Sequence, residues 1–141
     1  MKYGPETPTV EAFLRHLKNM TPEQWAAVIA AVDVALGAAW EAAVDAARDA
    51  AFDAVVGVAV DAAWNAAWNA AAGAAREAAG YAADAAVDVA WVVAWGTARY
   101  AACYATYEIL GASLMRERNQ PFYFLPMFGC DSPEAVLGID Q

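Results

Sequence analysis

A four-residue repeat in a long proline-free stretch most limits what this chain can fold into. No proline occurs between Pro22 and Pro121. Within this span the first position of each tetrad is large or basic, the second is polar or glycine, and the last two are mostly alanine. Examples are Trp40-Glu41-Ala42-Ala43, Val44-Asp45-Ala46-Ala47 and Trp64-Asn65-Ala66-Ala67. Because alanine has the highest helix propensity and a period of four does not fit the alternation of a strand, the repeat predicts helix.

The period of the repeat also indicates how the helical region is divided. An α-helix turns by about 100° per residue, so each tetrad overshoots one turn by about 40° and the large residues drift around the helix. Four tetrads are separated by three such steps, so their large residues drift by roughly 120°, which is about the width of one buried stripe. A single helix would leave its tryptophans in water. We therefore predict an all-α compact bundle of about five to seven helices, with a tightly packed Ala-rich core.

Glycine and the large aromatic residues have separate roles in this prediction. Glycine commonly ends a helix, and it also lies inside helices where two of them come close, so both interpretations remain open at each site. The glycines concerned are Gly37, Gly57, Gly73, Gly80, Gly96 and Gly111. Between Ala-lined helices, Trp and Tyr are expected to act as wedges that fill the gaps. These wedges are Trp64 with Trp68, Trp91 with Trp95, and Tyr100 with Tyr104 and Tyr107.

The two ends of the chain carry different signals from the repeat, although we predict one domain over residues 1–141. Residues 1–20 predict an amphipathic helix with Thr9 as its N-cap. The Ala-rich helices occupy residues 21–118 and begin with Thr21-Pro22-Glu23-Gln24, which is typical of a capping box. Residues 119–141 form an aromatic, proline-punctuated tail, in which Ser132 and Pro133 predict the start of a short helix.

The acidic balance of the chain restricts its partners and its location. Eight Lys and Arg residues stand against 17 Asp and Glu, a net charge of -9, so direct binding to nucleic-acid phosphates or to an anionic membrane is not expected. The most apolar run, between Asp88 and Arg99, is shorter than the roughly 20 residues of a membrane span. Cys103 and Cys130 form either one disulfide or two free thiols. A reducing, cytoplasmic setting is the simpler expectation, because the first residues lack the apolar run of a secretory signal.

The sequence offers no recognisable catalytic or metal-binding constellation. His16 is the only histidine, and we expect it in solvent, off the apolar stripe of the first helix. No nucleotide-binding or nucleophile motif occurs. Asp45, Asp49 and Asp53 recur at helical spacing, and we interpret them as the solvated row of the repeat rather than as a cation site. We therefore expect a protein that is not an enzyme and that holds no metal or cofactor.

The tail contains a short segment with a specific resemblance. Residues 124–128, Phe-Leu-Pro-Met-Phe, resemble the clamp-binding motif of bacterial replication proteins, whose core reads Gln-Leu-Ser/Asp-Leu-Phe. Leu125, Met127 and Phe128 occupy its hydrophobic positions, while Phe124 and Pro126 depart from it. The resemblance implies a sliding clamp as partner. The other interpretation is that residues 122–128 cap the open end of the bundle. The candidate partner-binding residues are Phe122, Phe124, Leu125, Met127 and Phe128.

A second resemblance covers residues 40–80. Tetrads such as Asp45-Ala46-Ala47-Arg48 and Asp61-Ala62-Ala63-Trp64 resemble the DAAW and DAAR runs of Ala-rich small proteins of actinobacteria and their bacteriophages. It implies a phage or mobile-element accessory protein that acts on a host or cognate protein. We therefore expect a non-enzymatic protein-binding or inhibitory module, either a monomer or a small homo-oligomer. The alternatives are a sliding-clamp binder, an acidic nucleic-acid mimic, a self-assembling structural protein, and an apolar-ligand pocket lined by Trp91, Trp95 and Tyr100.

Overall fold

The computed structural model describes residues 3–35, 37–55, 65–75 and 89–139, and all regular structure within these ranges is helical. The α-helices are α1 (Thr7–Asn19), α2 (Pro22–Ala35), α3 (Ala38–Val55), α4 (described over 65–75), α5 (Val89–Leu110), α6 (Ala112–Glu117) and α7 (Pro133–Ile139). Single 3-10 turns lie at Gly4–Glu6 and Leu125–Phe128. The helices pack against one another as a compact bundle, which confirms the predicted all-α fold.

Helix α5 is the centre of the bundle. It packs along α3 and also against α2 and α1, while α7 covers α1 and α6 covers α3. The core has two parts that differ in side-chain size. Around α1 and α2 it is built from large residues, namely Val10, Phe13, Leu17, Trp25, Val28 and Val32. Along α3, α4 and α5 it is built from alanines, namely Ala47, Ala50, Ala51, Ala67, Ala71, Ala98, Ala101, Ala102 and Ala105.

Both interpretations of the repeat glycines are found in the structure. Gly37 separates α2 from α3 with φ +140°, a conformation that L side chains rarely adopt. Gly111 separates α5 from α6, and a Cβ atom placed there would lie 2.6 Å from the backbone carbon of Ala50. This glycine therefore allows α3 to come close as well as ending a helix. Gly73 and Gly96 lie inside helices, and a Cβ atom at either would meet nothing within 4 Å.

Two of the predicted helix starts are confirmed. At the start of α2 the backbone N–H of Gln24 donates to Thr21 Oγ1 (3.2 Å), and the N–H of Thr21 donates to Gln24 Oε1 (2.8 Å). These reciprocal bonds are those of a capping box. At α7 the N–H of Ala135 donates to Ser132 Oγ (3.3 Å), with Pro133 as the first helical residue.

Two expectations about α1 are wrong. The helix begins at Thr7, so Thr9 lies inside it and is buried instead of capping it. His16 is half-buried rather than solvated, and its Nε2 lies 3.0 Å from the carbonyl oxygen of Phe128, so it donates this bond when the proton is on Nε2. The reason is tertiary, because the C-terminal part of the chain returns to cover this side of α1.

Some predictions fall outside the described residues. These concern Gly57, Gly80 and Trp64, and the side chains of Trp91 and Trp95. Of the predicted wedges that are described, Tyr107 is buried, Trp68 and Tyr104 are half-buried, and Tyr100 is exposed. Among the helices that the structure describes, none combines the length and hydrophobicity needed to cross a bilayer.

Candidate functional site

The predicted binding residues lie in one short segment at the end of the bundle, residues 122–128, which we call the aromatic segment. It joins α6 to α7 and contains a single 3-10 turn, Leu125–Phe128, with Pro126 near its start. Gly129 ends the turn in the left-handed region, with φ +81°. Because proline lacks a backbone N–H and clashes with the preceding turn, Pro121 and Pro126 prevent this part of the chain from continuing as α-helix.

The structure places the five candidate residues at two depths. Phe124 and Leu125 are 0% exposed and Phe128 is 4% exposed, so these three side chains belong to the core. Phe122 and Met127 are half-buried. The arrangement matches the interpretation in which residues 122–128 cap the open end of the bundle.

Aromatic contacts anchor the segment to several helices. The Phe128 ring packs edge-on against Phe13 of α1, with ring centroids 5.5 Å apart, and against Trp25 of α2 at 5.9 Å. The Phe124 ring packs edge-on against Trp40 of α3 at 4.9 Å and also contacts Tyr104 of α5 at 5.4 Å. Each such pair contributes about 0.5–1.5 kcal/mol beyond its buried area, so the inner face of the segment is firmly held.

A buried carboxylate fixes the backbone of the segment. Glu108 of α5 is 0% exposed, and its Oε1 accepts the N–H groups of Phe124 (2.9 Å) and Leu125 (2.8 Å). Its Oε2 accepts the N–H of Tyr123 (2.6 Å). A non-helical stretch of buried backbone needs acceptors from elsewhere, and Glu108 supplies them for three consecutive residues.

The sequence does not reveal this role of Glu108. It occupies the same polar position of the repeat as Asp45, Asp49 and Asp53, and the period predicts solvent for all of them. The three aspartates are exposed as predicted, whereas Glu108 is buried. The only available signal was the nearby run of prolines and aromatics, which indicated a non-helical segment without indicating what would bond its backbone.

Burial and hydrogen bonding act on Glu108 in opposite directions. Burial raises the pKa of Glu108 to about 7, while the three backbone N–H bonds favour the ionised form and limit the rise. A group with this pKa changes charge near neutral pH. The carboxyl is therefore both the structural support of the aromatic segment and a buried acid with a raised pKa beneath it.

The outer face of the segment is apolar with a charged border. It consists of the partly exposed Phe122 and Met127 and the exposed Pro126. The Arg116 guanidinium lies over the Phe122 ring, 5.5 Å from its centroid, and pairs with Glu134 of α7 at 2.5 Å. The hydrogen bond from Arg116 lowers the pKa of Glu134 to about 2, so this pair is ionised at neutral pH.

The acidic row on α3 is partly neutralised. Asp45 pairs with Arg48 (2.7 Å), and Asp53 pairs with Arg118 (2.6 Å), while all of these side chains remain accessible to water. Each pair brings a cation directly beside a carboxylate. This weakens the regular spacing of negative charge that a nucleic-acid mimic requires.

The two cysteines are free thiols and both are buried. Burial raises the pKa of Cys103 to about 12 and also raises that of Cys130. Since the thiolate is the reactive form, neither is activated as a nucleophile at neutral pH. Within the described ranges, no group of three or more His, Cys, Asp or Glu side chains is placed to hold a metal ion.

No protein-family model, no curated protein and no solved structure matches this chain.

Proposed function

We propose that this protein is a non-enzymatic protein-binding accessory module that presents the outer face of the aromatic segment, formed by Phe122, Pro126 and Met127, to a protein partner. The observation that carries the proposal is the set of three hydrogen bonds from Tyr123, Phe124 and Leu125 to Glu108.

The cost of burying Glu108 supports a role beyond stability. Removing a carboxylate from water is expensive, and a well-packed apolar side chain often serves a core equally well or better. What the carboxylate adds is a defined backbone shape for a segment that is neither helix nor strand. A segment held in one conformation loses little entropy when it binds, so preorganisation raises its affinity.

The chemistry of the outer face fits a protein partner. Aromatic and methionine side chains are enriched in the cores of protein interfaces, and a charged border such as the Arg116–Glu134 pair fits the polar rim of an interface. The expected partner surface is therefore an apolar groove. The resemblance of the tetrads to proteins of actinobacteria and their phages favours a phage-encoded module that inhibits or modifies a host or cognate protein. The two free thiols favour a reducing, cytoplasmic setting.

The clamp-binding alternative has a structural cost. Two of its anchors, Leu125 and Phe128, are buried in the bundle, so a clamp could take them only after the segment had left Glu108 and its aromatic contacts. Binding through the outer face needs no such release, and for this reason we favour it.

Affinity capture with matched variants tests the proposal. The tagged protein, the outer-face variant Phe122→Ser/Met127→Ser and the control Val34→Ser are compared on lysate of the native host. Val34 is 88% exposed on α2, so the control removes an exposed apolar side chain elsewhere on the molecule. We expect a partner that is retained by the wild type and by the control and lost by the outer-face variant. An empty capture, or equal retention by all three proteins, contradicts the proposal.

Binding measurements with purified sliding clamp distinguish the clamp-binding alternative from binding through the outer face. In that mode, Leu125→Ala/Phe128→Ala abolishes binding to the clamp. Loss of the Glu108 hydrogen bonds strengthens it, because the segment must be released from the bundle before it binds. If binding occurs through the outer face, loss of the Glu108 hydrogen bonds reduces the affinity for the partner instead, since the preorganised shape of the segment is lost.

A further inference from the structure

A cavity with aromatic and polar walls lies on α3, α4 and α5, away from the outer face of the aromatic segment. It measures about 270 Å³ and is lined by Arg48 of α3, Asn65 and Trp68 of α4, and Tyr104 and Tyr107 of α5. None of these residues belongs to the outer face of the aromatic segment. Ligand cavities combine apolar and aromatic walls with a few convergent polar groups, and this set has that balance.

The wall of the cavity is aromatic and held in place. The Trp68 ring centroid lies 5.2 Å from that of Tyr104 and 5.3 Å from that of Tyr107. Tyr107 is almost fully buried, and Tyr104 and Trp68 are half-buried, so each ring is partly fixed by the core behind it. A planar ring can therefore stack on this wall without reordering it.

Arg48 is the ionised residue among the described residues that line the cavity, and its side chain is about half exposed. Its Nη2 donates to Asp45 Oδ1 at 2.7 Å, which orients the guanidinium. A guanidinium has five N–H donors in a planar fork, so it can hold Asp45 and bind a second carboxylate together. Burial raises the pKa of both Tyr104 and Tyr107, and the Arg48 charge opposes that rise for both hydroxyls. The guanidinium is thus within electrostatic range of both tyrosines.

We propose that this cavity binds a small planar aromatic carboxylate, with its ring stacked on Trp68 and its carboxylate paired with Arg48. The site is a depression open to solvent, so its volume of about 270 Å³ takes the ring against Trp68 while part of the ligand stays in water. A carboxylate is the complementary ligand, because the Nη2 bond to Asp45 leaves other N–H donors of the Arg48 fork for a second anion.

Titration calorimetry of the full chain with indole-3-carboxylate and indole-3-carboxamide tests the chemistry. The two probes have the same ring and nearly the same shape, and they differ in the charge that Arg48 would bind. We expect saturable one-to-one binding of the carboxylate and roughly tenfold or more weaker binding of the amide, because a charge-assisted hydrogen bond is about twice as strong as a neutral one. Equal affinities, or no saturable binding of either probe, overturns the proposal.

Three variants assign the effect to Arg48. Arg48→Gln is expected to remove the preference for the carboxylate and to leave binding of the amide unchanged. Arg99→Gln is the matched control, since Arg99 also lies beside a tyrosine ring, 5.6 Å from the centroid of Tyr100, but does not line the cavity. Asp45→Asn frees Arg48 from its partner and is expected to retain or strengthen carboxylate binding. If Arg99→Gln or Asp45→Asn weakens binding of indole-3-carboxylate as much as Arg48→Gln does, the proposed pairing of the ligand with Arg48 is wrong.

Discussion

Replacement of Glu108 by glutamine removes one titrating group and one acceptor, because the amide nitrogen that replaces Oε2 cannot accept the N–H of Tyr123. The amide keeps the length and shape of the side chain, and its oxygen can still accept the N–H groups of Phe124 and Leu125, both of which bond Oε1 in the native protein. The loss of the hydrogen bond from Tyr123 is the same at every pH. The change with pH in the difference in unfolding free energy between the wild type and Glu108→Gln therefore isolates the ionisation of Glu108, because every other titrating group is common to the two proteins.

The size and the sign of the expected change in unfolding free energy follow from the pKa of Glu108. Burial raises the pKa of Glu108 from 4.5 to about 7 in the folded protein. Between these values the native state holds a proton that the unfolded state has released, so the wild type loses about 1.4 kcal/mol of stability per pH unit as pH rises. Its contribution to stability is fully present below pH 4.5 and is lost as pH rises through about 7. Relative to the variant, the wild type is expected to lose about 3 kcal/mol across this range.

Urea unfolding followed by circular dichroism at 222 nm, from pH 4.5 to 8.5, measures this difference. Glu134→Gln is the control, because the pKa of Glu134 is lowered from 4.5 to about 2, so its difference from the wild type is expected to stay flat once the pH is well above 4.5. A flat curve for Glu108→Gln would show that the pKa of Glu108 is not raised. A difference that grows in favour of the wild type with rising pH would show that the three N–H bonds outweigh burial.

Two further predictions concern the close packing of the bundle. Gly111→Ala places a methyl group 2.6 Å from the backbone of α3 and is expected to lower the free energy of unfolding in urea by about 1–3 kcal/mol. The methyl group of Gly96→Ala meets nothing within 4 Å, so this change is expected to be neutral or stabilising. Similar effects of the two changes would contradict the close approach. Cys103 and Cys130 are expected to react slowly with a disulfide reagent at pH 8 in the native protein and quickly after unfolding, and a rapidly reacting native thiol would contradict their burial.

Local features of this protein are predictable from the sequence because they depend on neighbouring residues. The alanine-rich tetrads specify helix by propensity, and the capping box at Thr21 and Gln24 forms between residues three apart. The start of α7 at Ser132 is local in the same sense. The exposure of Asp45, Asp49 and Asp53 also follows the period of the repeat.

Features that depend on distant parts of the chain are not predictable in this way. His16 is expected in solvent and instead meets the carbonyl of Phe128, which is 112 residues away in sequence. The inward packing of Phe124 and Phe128 depends on rings from α1, α2, α3 and α5. Nothing in residues 122–128 alone distinguishes a cap on the bundle from an exposed binding peptide.

The helical character of this chain follows from local sequence alone, because alanine propensity and the lack of proline between Pro22 and Pro121 act within each turn. The environment of the polar position of the repeat depends instead on how the helices and the aromatic segment pack. At Asp45 it is solvated, and at Glu108 it is buried beneath the aromatic segment. The physical reason is that the prolines leave the segment's backbone N–H groups without helical partners, and a carboxylate 15 to 17 residues earlier in the chain satisfies them.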